Sequence, residues 1–141
     1  MMRAASARLF RAVTDGSLSD VNEALESGID VNVRGEFGDS ALNLAAQHGR
    51  KEIAMRLIEV GANLENVGGA NMTPIMNAAV AGNVGIVRLL LEKGARVSDD
   101  LVKSVQLKVS ILEENAESGM IREEAVQAWR DFVSFLIEAR R

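Results

Sequence analysis

Cysteine is absent from this chain, which removes disulfides, thiolate metal sites and thiol nucleophiles at once. The same absence suits a reducing, intracellular and cytoplasmic setting. Histidine occurs once, as His48, with no Ser, Cys or second His at triad or ligand spacing. Neither a nucleophilic triad nor a histidine metal centre can be built around it. No apolar run reaches the roughly 18 residues a membrane-spanning helix needs. Basic residues do not cluster beyond Arg140–Arg141, no aromatic platform is interleaved with them, and the net charge is −4. That balance gives no general attraction for nucleic acid or anionic lipid.

Other chemical motifs are missing as well. Carboxylates fall in helical charge runs such as Glu113–Glu114 and Glu123–Glu124, which read as solvated faces rather than acid–base pairs. The glycine-rich VGGAN, Val67 to Asn71, is not followed by Gly-Lys-Ser/Thr and opens no helix after a parallel strand, so it is a turn and not a phosphate cradle. Asp, Asn and Glu show no calcium-loop spacing. The expectation is a chain that is not an enzyme and needs no cofactor or metal.

What is present is a period. TPIMNAAVAGNVGIVRLLLEKGA, Thr73 to Ala95, lies over SALNLAAQHGRKEIAMRLIEVGA, Ser40 to Ala62, after a shift of 33 positions, and FRAVTDGSLSDVNEALESGID, Phe10 to Asp30, falls into the same frame. Gly16, Gly49 and Gly82 recur in step, as do Gly28, Gly61 and Gly94. A period of this size marks a stack of repeated units. The chain's 141 residues, 48% hydrophobic and 26% charged, suit one domain with a single core.

Each unit reads as helix, tight turn, helix and polar loop. In the second copy Leu42, Ala45 and Ala46 form one short stripe, and Ile53, Ala54, Leu57 and Ile58 another, at helical spacing. Gly49 and Gly61 end the two helices, where positive φ is wanted. The pairs Ala45–Ala46 and Ala78–Ala79 let neighbouring helices approach closely. Ser40 and Thr73 occupy N-cap positions, and the single proline, Pro74, sits at N1 where its missing N–H costs nothing. Neither helix can bury its stripe alone, so the units must stack.

The opening MMRAASARLFRAV carries Arg3, Arg8 and Arg11 and no acid, a composition that also suits an organelle transit peptide. The register favours a different reading: Leu9, Phe10, Ala12 and Val13 fall where the first helix of repeat one belongs.

The segments GDSALNLAAQHG and NMTPIMNAAVAGN, followed by IAMRLIEVGANLE and IVRLLLEKGARVS, resemble the ankyrin repeat over residues 9 to about 98. The resemblance implies an all-α, helix-turn-helix repeat solenoid with hairpin loops between repeats, a single domain with repeats at about 5–37, 38–70 and 71–98. The family's histidine after Thr-Pro-Leu is replaced by Asn43 and Met76, so its hairpin-loop hydrogen bonds are expected to be partly missing, above all at Met76, which has no N–H to offer. The first copy lacks the Thr-Pro-Leu-His segment, as expected of a capping unit.

After GARVS the pattern breaks. Residues 99–141 read as an elongated helical pair that caps the stack, with Ser98, Asp99 or Asp100 as N-cap, Val102, Val105, Val109 and Leu112 on one face, and a turn at Ser118–Gly119. Its second helix aligns Ile121, Ala125, Trp129, Phe132 and Leu136. Three of the chain's five aromatics, Trp129, Phe132 and Phe135, crowd there; they either seal the core or, with Val126, Val133 and Ile137, form a docking or dimer surface.

The resemblance also implies where a protein partner would bind. One finger offers Arg34, Glu36, Phe37 and Asp39, with Gln47 and His48 behind it. The next offers Val67, Gly69, Ala70 and Met72, with Val80 and Ala81 behind. Phe37 is either a hot spot or folded back on its own hairpin. Two fingers reach at most the standard ~800 Å² per partner, so weak-to-moderate affinity is expected, from a monomer. The alternative is a regulatory, inhibitory or oligomerisation role for the C-terminal pair.

Overall fold

A computed structural model of the chain describes residues 2–140, with side chains from residue 4 to residue 140; the Arg3 side chain and Arg141 lie outside the described residues. The helices are α1 Met2–Asp15, α2 Leu18–Glu26, α3 Ala41–His48, α4 Lys51–Glu59, α5 Pro74–Ala81, α6 Val84–Glu92, α7 Asp99–Glu117 and α8 Glu123–Arg140, with a 3₁₀ turn at Gly69–Asn71. The chain divides into two compact units, residues 1–95 and 96–141.

The first unit holds three helical hairpins, and the sequence period reappears in the burial of their side chains. Leu9, Leu42 and Ile75 occupy equivalent positions and are at most 1% exposed. Ala12, Ala45 and Ala78 follow the same spacing, as do Val21, Ala54 and Val87, and Ala24, Leu57 and Leu90, all buried. Each fully buried Leu or Ile removes enough apolar area from water to contribute roughly 1.5–3 kcal/mol. The alanines serve a different end. With only a methyl to accommodate, α1, α3 and α5 line up side by side. Gly16, Gly49 and Gly82 end these first helices at φ 80°, 72° and 83°, a left-handed conformation that any Cβ makes costly.

Side chains also staple one repeat to the next. The Asn83 amide donates to the Ala46 carbonyl at 2.7 Å. One period earlier, an Arg50 guanidinium N–H donates to the Thr14 carbonyl at 2.7 Å, its carbon lying 2.9 Å from where a Cβ on Gly16 would stand. On the loop side, Asn32 donates to the Gly61 carbonyl at 3.2 Å and accepts from the Asn63 N–H at 2.7 Å. The guanidinium of Arg56, on α4, donates to the Asn22 side chain on α2. Replacing Arg50 by alanine should lower stability by about 1–1.5 kcal/mol, the worth of one hydrogen bond to a charged group in a partly solvated place. Arg50→Asn, which takes the residue already used one repeat later, should recover most of that loss. Urea-unfolding midpoints at constant slope read both.

Ser40 caps α3 as expected, and a full capping box forms, the Asn43 side chain accepting from the Ser40 N–H at 3.0 Å while the Ser40 hydroxyl accepts from the Asn43 N–H. Thr73 stands at the N-cap of α5, but its side chain makes no capping bond.

In the second unit α7 and α8 pack as a helical hairpin. Ser98 is the N-cap of α7, its hydroxyl accepting from the Leu101 N–H. Leu101, Val102, Val105 and Val109 are buried on α7. On α8 the buried residues are Val126, Phe132 and Leu136, which corrects the expected stripe. Ala125 is exposed, Ile121 precedes the helix, and Val126 is fully buried, so the stripe departs from the expected one at its start, while Phe132 and Leu136 are buried where the spacing puts them. Trp129 stays half-buried under the Lys108 ammonium, 4.6 Å from its ring, and meets Phe132 edge-on. Arg130 pairs with Glu113 on α7 at 2.8 Å and with Glu123 at 3.2 Å. The hydrogen bond that Arg130 donates to Glu113 raises the Arg130 pKa above its ordinary value, against desolvation, which lowers it, and with the further help of the Glu113 and Glu123 carboxylates.

Candidate functional site

The fingers are built by one backbone pattern used twice. In finger one Arg34 and Ser40 form an antiparallel bridge. Gly35 N–H donates to the Asp39 carbonyl at 2.9 Å, and Gly38 N–H to the Gly35 carbonyl at 3.0 Å. Glu36 and Phe37 are therefore the two corner residues of a tight turn, and Gly38 follows at φ 89°, as a hairpin with a left-handed third residue requires. In finger two Gly68 N–H donates to the Met72 carbonyl at 2.9 Å, and Asn71 N–H to the Gly68 carbonyl at 3.2 Å. Asn71 takes the place of Gly38, at φ 61°. Ala70, the counterpart of Phe37, is also left-handed, at φ 57°.

Beneath the fingers lies a buried amide network. Asn43 is wholly buried. Its oxygen accepts from the Ser40 N–H, from the Ser40 hydroxyl and from the Asn66 amide at 2.8 Å. Its nitrogen lies within bonding distance of the Asn66 and Met72 carbonyls, 3.2 Å each, and of the Asn77 oxygen at 2.9 Å. The hairpin-loop bonds expected to be missing at Asn43 are thus made. At the third repeat Met76 takes no part; its neighbour Asn77 supplies the polar group, reaching Asn43 on one side and the Met72 sulfur at 4.0 Å on the other.

The residues expected to meet a partner divide into two sets. Phe37 does not fold back: its side chain stands 79% exposed at the tip of finger one, beside exposed Glu36. Val67 is 45% and Val80 39% exposed. Ala70, Ala81, Gln47 and His48 are exposed, and Met72 is half-buried. Gln47 and His48, and one period on Val80 and Ala81, occupy the last turns of α3 and α5. Arg34 and Asp39 are engaged instead. Arg34 donates from Nε to the Gly38 carbonyl at 3.1 Å and from Nη2 to the Val67 carbonyl at 3.0 Å. The Asp39 carboxylate accepts from the Gly69 N–H at 2.9 Å. An open groove of about 600 Å³ flanks finger one, lined by Ser6, Ala7, Phe10, Arg34, Gly35 and Glu36. Sequence reasoning passed over Asn66, Asn77 and Arg50. The one available signal was Asn43 itself, an amide at a position where the resemblance leads one to look for a hydrogen-bonding ring.

Among the described residues no three His, Cys, Asp or Glu side chains come together so as to hold a metal ion, and no helix is long and apolar enough to cross a membrane.

Three helical hairpins in one period, with braced fingers between them, define a repeat protein of the ankyrin class. Ankyrin repeats, three copies, match residues 9–100. The chain belongs to the ankyrin repeat family. It is similar to a putative ankyrin repeat protein of Rickettsia felis, 38% identical over 92 residues that make up 63% of this chain and 41% of the relative. It is likewise similar to a putative ankyrin repeat-containing protein of Treponema pallidum, 34% identical over 59% of this chain and 28% of the relative. Palmitoyltransferase Hip14 of Drosophila melanogaster is 36% identical over 62% of this chain, a stretch amounting to 14% of that enzyme. The chain thus spans less than half the length of these curated relatives, and likeness to so small a share of an acyltransferase carries none of its activity over. Ankyrin repeats are in general modules of protein–protein interaction.

Proposed function

We propose that this chain is a non-catalytic module that holds a partner protein against its two fingers and the exposed ends of α3 and α5. The observation that carries the reading is Phe37, an aromatic ring kept 79% in water at the corner of a hairpin. A ring so placed gains by being covered, and aromatic anchors dominate interface energetics. Glu36 lies beside it, and Ala70, Met72, Val80 and Ala81 extend the apolar contact into the third repeat, with Gln47 and His48 as polar neighbours. In this reading the chain acts as a monomer, and its cysteine-free composition suits a reducing compartment. The partner is captured by affinity purification from the source organism, and its Kd is then measured against Phe37→Ala and Met72→Ala. Phe37→Ala should weaken binding by about 30-fold, the equivalent of ~2 kcal/mol. Unchanged affinity in both variants would remove this surface from the reading.

A second reading rests on the C-terminal pair, where Leu107 and Ile111, one turn apart on α7, are 63% and 51% exposed. Here the partner is bound by α7 and α8, and the repeats are scaffold. Leu107→Glu abolishes capture in this case and leaves it intact in the first.

A further inference from the structure

Finger two is bent where an ordinary side chain resists bending. Ala70 and Asn71 are consecutive residues at φ 57° and 61°. Asparagine tolerates the left-handed region, whereas alanine enters it at a cost, and such a conformation persists only where its surroundings over-determine it. The surroundings come from finger one. Arg34 grips the Val67 carbonyl immediately before the bend, and the Asp39 carboxylate takes the Gly69 N–H at its start. Asn66 ties the approach from below, donating to the Gly38 carbonyl at 3.1 Å. Gly68 makes room for this: a Cβ there would collide with an Asp39 carboxylate oxygen and stand 3.0 Å from its Cα, so a side chain at this position would push the carboxylate out of place. Its φ of −100° makes no demand for glycine; the close approach does.

The same two positions one period later are Val67 and Met72, which have no side-chain N–H to donate and no oxygen to accept. The gripping pair therefore occurs once, on the finger that has another to hold.

We infer that Arg34 and Asp39 are positioning residues: they do not meet the partner but lock finger two in its left-handed turn, so that both tips are presented as one pre-formed surface. Pre-forming a binding loop lowers the ordering cost that association must meet. The lock is measured on the free chain, so its failure and a failure of the docking reading are told apart.

The test is residue-resolved amide exchange by NMR on the full chain, for wild type, Arg34→Ala, Asp39→Ala, their double variant, Asp39→Asn, and the double variant carrying Ala70→Gly. In the alanine variants the Gly68, Gly69 and Asn71 amides should exchange about tenfold faster or more, while amides within α3 to α6 stay within about twofold of wild type, the pattern of local rather than global opening. Asp39→Asn keeps an acceptor oxygen and should retain protection. Ala70→Gly removes the strained residue and should restore part of the protection that the double variant loses. Unchanged exchange at Gly68, Gly69 and Asn71 in the double variant overturns the lock. So does acceleration spread equally over finger and helices, which would make both residues ordinary contributors to stability.

Discussion

Asn43→Leu should lower the free energy of unfolding by about 3 kcal/mol, a large share of what holds a domain of this size together. The substitution keeps the branching of the side chain and adds volume, so none of the loss is cavity, although crowding by the larger methyls adds to it. The cost comes from the groups left behind. The Ser40 N–H and hydroxyl, the Asn66 amide, the Asn77 oxygen and the Asn66 and Met72 carbonyls all face the Asn43 amide. Each buried polar group left unmet costs roughly 1–3 kcal/mol, reduced where water can reach it. Both fingers hang on this one side chain, since Asn66 also binds Gly38. Urea denaturation followed by circular dichroism gives the number. A loss below about 1 kcal/mol would mean that water takes over the network and that the fingers do not depend on it.

Leu42→Ala is the second large effect, with an expected loss of about 3 kcal/mol within the 2–5 usual for a buried leucine. Leu42 is wholly buried on α3, the helix that packs on α1 at one side and α5 at the other. The space it leaves cannot close by the helices moving together, because the neighbouring Ala45, Ala46, Ala78 and Ala79 are already fully buried methyls at close approach. The stability of a stacked array is the sum of its units and the interfaces between them, and this change weakens the middle unit together with both of its interfaces. Leu107→Ala, at an exposed position of α7, is the control and should change stability by no more than about 0.5 kcal/mol. Comparable losses in the two variants would contradict the packing described for α3.

The repeats were legible because what defines them is local and recurs. A glycine at the end of a helix, a hydroxyl at its start and an apolar stripe between them are all read within a dozen residues, and Gly49, Ser40 and the Leu42–Ala46 stripe stand where the spacing puts them. The candidate site was legible by position but less so by role. Phe37 and Ala70 could be assigned to finger tips from the family resemblance, carried over by position. That Arg34 and Asp39 turn to the neighbouring finger could not, because their partners are backbone groups 33 and 30 residues away, and a carbonyl or an N–H leaves no mark in a sequence. Arg50 escaped for the same reason. At the start of the α8 stripe Val126 is buried in place of Ala125, because the two are apolar and adjacent. Only the packing of the hairpin decides between them.

The hooks between the fingers point one way along the chain, from Arg34 and Asp39 forward to Val67 and Gly69, and the counterparts at Val67 and Met72 carry none onward. A tandem duplication of residues 34–66 would accordingly splice in a layer that brings its own grip and accepts the previous one, whereas a copy taken from 67–99 would arrive without a handhold. The growth direction of this array, and the place where evolution or an engineer can widen its footprint, is written into a single arginine and a single aspartate.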